Sequence, residues 1–361
     1  MGKAINGSQN DEPEGSNPDL DSFDDDVTLL QSYSLSTIST DGSTFEMHPL
    51  VQLCSRRWLT ARNLKDEWFK VFIERMSECF PNGEFETWSQ CHALFPHIHP
   101  YISTIPNIPE SLCRSWSKLL VNAAWYLQNI GKINQAKGVI TATIEVQERL
   151  TEPTSLVFRN KRILTQVLIE QGRFLGAETV LGGAIEGSND ALEPANCRYH
   201  TIDLRQQLGY LAYLKGNNEE VGTILRQVLE SRGTVLRPNS RLIMDAMSSL
   251  GLVLRAEGES EKAEKMMRDL LKAQTEVYGV VNPNTLKTLL VLDSALRDQE
   301  HFQEAEFYHR GALNLAKDLL GEEHSYKFIC MNNLAVDLAA LDKLDEAESL
   351  HQQELLTVQR R

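Results

Sequence analysis

Residues 282–306 read NPNTLKTLLVLDSALRDQEHFQEAE, and residues 324–348 read HSYKFICMNNLAVDLAALDKLDEAE. Laid 42 residues apart, the two stretches share leucine at 292 and 334, leucine at 296 and 338, and Ala-Glu at 305–306 and 347–348. Working outward, the anchoring alanine recurs as Ala136, Ala177, Val221, Ala263, Ala305 and Ala347, in steps of 41, 44, 42, 42 and 42 residues. Five residues before each anchor stands Gly131, Gly172, Gly216, Gly258, Glu300 or Asp342, where a turn is expected. Thirteen before stands Ala123, Leu164, Leu208, Leu250, Leu292 or Leu334, and four further on Leu127, Leu168, Ala212, Leu254, Leu296 or Leu338. Pairs at i and i+4 share one face of a helix. Twelve before is mostly small, with Ala124, Gly209, Gly251 and Ala335 against Thr165 and Asp293, as close helix contact requires. A helix, a turn and a second helix cannot bury their apolar face alone and do so by stacking on like units. The expected fold class is therefore all-α, an α-solenoid.

The same residues carry a family resemblance. Val281-Asn282-Pro283-Asn284-Thr285-Leu286 ahead of a first helix, Asn332-Asn333-Leu334-Ala335 within one, and Ala305-Glu306 or Ala347-Glu348 opening a second resemble the tetratricopeptide repeat (TPR), in the 42-residue form of kinesin light chains. The resemblance implies a right-handed TPR superhelix of about six helical hairpins over residues 118–361.

Composition excludes several function classes. Of 361 residues 24% are charged and 42% apolar, ordinary for a globular chain. The net charge of −14 is concentrated at the start, where residues 1–26 hold eight acids against the single base Lys3. Backbone contact with nucleic acid needs clustered Lys and Arg, so no nucleic-acid partner is expected. No apolar run approaches the length that spans a bilayer, so no membrane partner is expected either. With no signal peptide in view, the six scattered cysteines, Cys54, Cys79, Cys91, Cys113, Cys197 and Cys330, read as buried reduced thiols of a cytoplasmic protein.

Taken in order, residues 1–26 are an acidic tail with almost nothing to bury, expected to be disordered. Residues 27–63 read as a short helix from Asp26, two strands around Asp41-Gly42, and a helix with Pro49 at its first position. That is the closing half of a winged-helix unit. The run Phe45-Glu46-Met47-His48-Pro49-Leu50-Val51-Gln52, ending at Arg57-Trp58-Leu59, resembles the segment that follows the nucleotide-binding module in fungal NB-ARC and NACHT proteins carrying such repeats. Residues 64–117 read as a helical connector that caps the stack, with one helix through Trp68, Phe69, Phe72 and Met76 and another stopped before Pro96. Trp88 to His97 is similar to the connector of the same family. At the far end the last helix leaves a stacking face uncovered, which truncation, a partner or self-association would each explain.

No chemistry-bearing motif competes with this reading. Cys91, His92, His97 and His99 could in principle hold zinc, but Cys91 and His92 diverge on a helix and no second ligand pair follows. GxxxxGK[ST], GxSxG and HExxH are absent, so neither cofactor nor enzymatic activity is expected. Arg56, Arg57 and Arg62 are followed at once by Asp66 and Glu67 and read as a solvated helix face. What remains is the inner surface. The resemblance implies that the first helix of each unit lines a concave groove taking a protein or peptide ligand. Its candidate residues are Lys118, Asn122, Trp125, Arg159, Gln207, Tyr210, Tyr213, Ser249, Lys287 and Asn333, with Trp125, Tyr210 and Tyr213 as apolar anchors. Lys118 with Asn122 repeats one element of the family's carboxylate clamp, but Ile163 stands where the next unit would need asparagine. The chain is thus expected to be a non-enzymatic interaction scaffold like the sensor arm of NB-ARC or NACHT signalling ATPases. The alternatives are a kinesin-light-chain-like cargo adaptor and a piece of an ATPase whose nucleotide-binding half lies upstream.

Overall fold

The structure, a computed structural model, describes residues 28–38, 45–102, 109–147, 155–190, 194–216, 218–230, 240–322 and 324–359. The chain divides into two compact units, residues 1–72 and 73–361. In the first, a helical turn over residues 28–32 (α1) precedes strands β1 (Ser36–Ile38) and β2 (Phe45–Met47). The strands are antiparallel, with Ser36 opposite Met47 and Ile38 opposite Phe45. Helix α2 (Pro49–Ala61) begins at the proline, whose missing N–H costs nothing there, and His48 Nδ1 accepts from the Leu50 N–H at 3.2 Å. The acidic tail and the Asp41-Gly42 turn lie outside the described residues.

Helix α3 (Lys65–Cys79) is followed by a 3-10 turn (Phe85–Thr87) and α4 (Trp88–Ile102). The expected stop before Pro96 is overturned, because α4 runs through both Pro96 and Pro100. Each proline removes a helical hydrogen bond. Cys91, Ile98 and Ile102, spaced seven and four apart, nevertheless stay buried on one face, so packing outweighs the local cost. The cysteine expectation holds only in part: Cys91, Cys113 and Cys330 are buried free thiols, whereas Cys54 and Cys79 are exposed.

Six hairpins follow: α5 (Glu110–Asn129) with α6 (Ile133–Gln147), α7 (Ser155–Glu170) with α8 (Phe174–Asp190), and α9 (Pro194–Leu214) with α10 (Asn218–Glu230). The second three are α11 (Arg241–Ala256) with α12 (Ser260–Tyr278), α13 (Pro283–Asp298) with α14 (Phe302–Leu320), and α15 (Ser325–Ala340) with α16 (Leu344–Gln359). All six anchors are buried, Ala136, Ala177, Val221, Ala263 and Ala305 fully and Ala347 to 6% exposure. All six turn positions adopt the left-handed region, from Gly172 at φ 69° to Gly216 at φ 81° among the glycines. Glu300 and Asp342 do so without being glycine, at φ 62° and 61°. The reason is a helix-ending bond that recurs in register: the N–H of Lys132, Arg173, Glu259, His301 and Lys343 donates to the carbonyl of Leu127, Leu168, Leu254, Leu296 and Leu338. This six-to-one closure requires a left-handed residue between its partners.

Each hairpin packs on the next, and each first helix also touches the first helix of the following repeat, from α5 and α7 through to α13 and α15. The second helices are bridged instead by long side chains. Arg268 Nη2 reaches Glu304 at 2.6 Å and Arg310 Nη2 reaches Glu346 at 2.6 Å, 42 residues apart in register. First helices thus form the close-set inner row and second helices the wider outer one.

Repeats 5 and 6 are joined by a buried ionic bridge. His309 on α14 sits with Nε2 2.7 Å from Asp293 Oδ2 on α13 and with Nδ1 against Asp337 on α15, and all three side chains have no exposure. Burial opposes charge on His309, but the two carboxylates outweigh it and hold its pKa above the ordinary 6.5. Burial raises the Asp293 pKa despite His309, and pushes the Cys330 thiol up to about 12 with Asp293 contributing.

Two outcomes follow. Replacing Glu300 by Gly relieves a non-glycine left-handed residue and should raise stability by about 1 kcal/mol in urea unfolding, with no gain if the turn is unstrained. Replacing His309 by Ala leaves two buried carboxylates facing one another and should cost about 3–5 kcal/mol. Because the folded pKa of His309 is raised, its contribution is complete below 6.5 and lost as pH rises through the folded value; raised Asp293 acts in the same direction. Stability of the wild type should therefore fall on the alkaline side, a slope that His309→Ala with Asp293→Asn and Asp337→Asn should flatten.

Candidate functional site

The inner row places every candidate residue on a first helix: Lys118, Asn122 and Trp125 on α5, Arg159 on α7, Gln207, Tyr210 and Tyr213 on α9, Ser249 on α11, Lys287 on α13 and Asn333 on α15. Side-chain geometry then separates them into two groups. Across repeats 1 to 4 most of the polar candidates are already engaged within the chain, whereas Lys118 is exposed. Arg159 donates through Nη1 to Asn122 Oδ1 and through Nη2 to the Asn82 carbonyl, both at 2.8 Å. Gln207 Nε2 donates to the Arg162 carbonyl at 3.2 Å, and Ser249 Oγ accepts from Gln206 at 3.2 Å.

Trp125 is covered rather than open to the groove. Its exposure is 6%, and the Arg162 guanidinium carbon lies 4.0 Å from the ring centroid, with Arg241 at 5.4 Å. Arg162 is held in place by Asp203 at 3.2 Å, which counters the lowering of its pKa by burial, and Arg241 faces Asp245 at 3.8 Å. The connector adds to the cover. Gly83, at φ 78°, lies so close to α5 that a Cβ there would stand 2.9 Å from the Asn122 carbonyl and Tyr126 amide. The partial clamp of Lys118 and Asn122 is accordingly half occupied by Arg159.

The row is less covered at Tyr210 and Tyr213 on α9 and at Lys287 on α13. Lys287 is exposed and is held in no ion pair among the described residues. Its pKa is raised, the neighbouring Tyr326 contributing most and outweighing desolvation, with Asp245 and Tyr210 adding to it. Burial, followed by Tyr326, pushes the Tyr210 hydroxyl up to about 12, so it remains a neutral donor and acceptor. Lys287 also draws down the Glu170 pKa, which burial raises. Lys287 thus interacts with Tyr210, Asp245 and Tyr326, and Arg241 opposes its charge. The curvature behind this brings the row back on itself, since a Cβ at Gly131 in the first turn would lie 2.8 Å from His324 Cδ2, at the start of α15.

Register reasoning selected Lys287 and Tyr210 but missed Arg162, Arg241 and Tyr326. Arg241 with Asp245 forms an i, i+4 pair on one face, a signal legible in the sequence. Arg162 and Tyr326 lie off the two groove registers, and only curvature brings them in.

With this geometry, unit 73–361 is a tetratricopeptide-type α-solenoid. Tetratricopeptide repeat signatures match residues 242–318 and 329–357. A nucleotide-binding leucine-rich repeat (NLR)-like protein of Hyaloscypha variabilis is 28% identical over 122 residues, 34% of this chain and 12% of that protein. Tetratricopeptide repeat protein 19, mitochondrial, of Rattus norvegicus is 23% identical over 186 residues, 49% of each chain. The chain thus spans about half or less of the length of these curated relatives. Among solved structures, a Rap protein complexed with competence and sporulation factor is similar in fold, with TM-score 0.58 at 12% identity, covering 81% of this chain and 76% of that one.

The tight seat of Gly83 supplies a test. Gly83→Ala should destabilise the chain by about 1–3 kcal/mol and raise acrylamide quenching of Trp125, as the connector loop lifts from α5. Unchanged stability and quenching would mean that the loop does not cover the ring.

Proposed function

We propose that this chain is a non-enzymatic interaction scaffold whose inner surface, around Tyr210, Tyr213 and Lys287, takes an extended segment of a partner protein. The carrying observation is Lys287, exposed and in no ion pair among the described residues, with Tyr210, Tyr326 and Asp245 acting on its charge. An ammonium beside neutral hydroxyls suits an acidic group on the ligand, and half-buried Tyr210 and Tyr213 suit an apolar side chain beside it. Rigid helices hold these groups in advance, which lowers the ordering cost of binding. Lys118, Asn122, Trp125, Arg159, Gln207 and Ser249 act in this reading as the built wall of the groove, and Asn333 as a rim contact. The Rap protein that shares the fold is itself a complex with a factor, which supports a ligand-binding role.

A second reading extends the first: the scaffold serves as the sensor arm of a larger nucleotide-binding protein in the cytoplasm. The NLR-like relative, eight times longer than its matched share, favours it over the cargo-adaptor alternative. No helix among the described residues is long and apolar enough to cross a membrane.

The test is selection of peptides from a display library on the whole chain, followed by affinity measurement against variants. Lys287→Glu, at an exposed position, should weaken selected acidic peptides by at least tenfold, with Tyr210→Phe weakening them less. Equal affinity for Lys287→Glu would exclude the inner surface as the site.

A further inference from the structure

The repeats of a solenoid touch only their neighbours, so a contact between the first repeat and the sixth is not something that stacking requires. One exists here. The turn between α5 and α6 meets His324, the residue that precedes α15, so closely that a Cβ on Gly131 would stand 2.8 Å from His324 Cδ2 and 3.1 Å from Nε2. Among the described residues no helix of repeat 1 packs along a helix of repeat 6, so the joint is one turn set against one ring.

Two features of the sequence are fitted to this joint. The first is the glycine. Glu300 and Asp342 hold the same left-handed turn in repeats 5 and 6, so the turn itself admits a side chain. At Gly172, Gly216 and Gly258 a Cβ would meet nothing within 4 Å, whereas at Gly131 it would strike the imidazole. The second is the histidine. His324 stands in the register of Asn282, and each caps its first helix by accepting an amide hydrogen from two residues on, Asn282 from Asn284 at 2.9 Å and His324 from Tyr326 at 3.1 Å. The imidazole does more than cap. Only 8% exposed, it stacks on Tyr326 with ring centroids 5.3 Å apart and planes at 13°, and it presents its Cδ2 and Nε2 edge to Gly131. Tyr326 in turn is the largest influence on the charge of Lys287, so the joint and the inner surface share a side chain.

We infer that Gly131 and His324 form a latch that closes the superhelix between repeat 1 and repeat 6, and that a partner segment reaches Tyr210 and Lys287 only after it parts. The gating role rests on the binding proposed for the inner surface; the closure does not. A turn against a ring is a small contact beside the stacked interfaces of neighbouring hairpins, so the ring opens there at least cost. While the latch is shut, apparent affinity is scaled down by the fraction of molecules that are open.

For the test, the whole chain, with Cys54, Cys79 and Cys197 replaced by serine, is spin-labelled at Lys132→Cys and Ser325→Cys, two exposed positions that flank the joint. Pulsed electron paramagnetic resonance then reads the distance between the labels. Two variants open the latch while keeping the local structure: His324→Asn retains a cap of the kind Asn282 makes, and Gly131→Asp retains a turn of the kind Asp342 makes. Each should shift the label distribution to longer distances without ligand, and each should raise the affinity of Lys287-dependent display peptides at least threefold. Adding such a peptide to the wild type should produce the same lengthening. Unchanged distances in both variants would show that this contact does not hold the ring, and a bound peptide with the short distance retained would show that entry needs no opening; either result overturns the latch. Peptides that bind Lys287→Glu equally well would instead sink the binding role of the inner surface, and the ligand-free distances would still decide whether the contact closes the ring.

Discussion

Close approach at one position of each repeat governs the rest of the array. Twelve residues before the anchor, a Cβ on Gly209 would stand 3.1 Å from Leu225 Cδ2. One on Gly251 would stand 2.7 Å from Met267 Cε and 3.2 Å from Val291 Cγ1. Ala124 and Ala335 are buried at the same position, and Thr165 fits by turning its hydroxyl to the Lys161 carbonyl at 2.8 Å. Small side chains here let each first helix close on the second helix of its own hairpin, and at Gly251 on the next first helix as well, while adjacent second helices are spanned by arginines and glutamates. Those outer pairs are partly exposed and worth little individually. Their contribution is to register more than to stability. Asp293 is the position at which space is filled by charge instead, and His309 with Asp337 is the required consequence, since a lone buried carboxylate would be costly.

The same closeness shapes the inner surface. Helices near enough to touch bring polar side chains near enough to bond one another, so Asn122, Gln207 and Ser249 are turned to inter-repeat contacts. Arg162 and Arg241 stack on Trp125 for the same reason. Lys118 and Lys287 are the candidate cations that keep an exposed position on this row.

Periodicity made the hairpins, their turns and their buried faces legible before any coordinates, because each is a local consequence of spacing. The left-handed turn at Glu300 and Asp342 could be placed from the glycines of the earlier repeats. The continuation of α4 through Pro96 and Pro100 could not, because it depends on burial of Ile98 and Ile102 rather than on local propensity. Likewise the candidate residues fall on first helices, yet which of them stay exposed depends on curvature. Trp125 and Lys287 look equally available by register; only the return of the row, which brings Arg241 over one and Tyr326 beside the other, separates them. Asp293 stood out in the sequence as a misfit among small residues, and its partner His309 became identifiable only across three helices.

The most direct measurement of this account is the urea unfolding of Gly251→Leu, with native-state hydrogen exchange to locate any change. If contact at this position sets the stacking, the added side chain should cost about 1–3 kcal/mol and open α11 to α13 first. Wild-type stability with unaltered protection in those helices would contradict it.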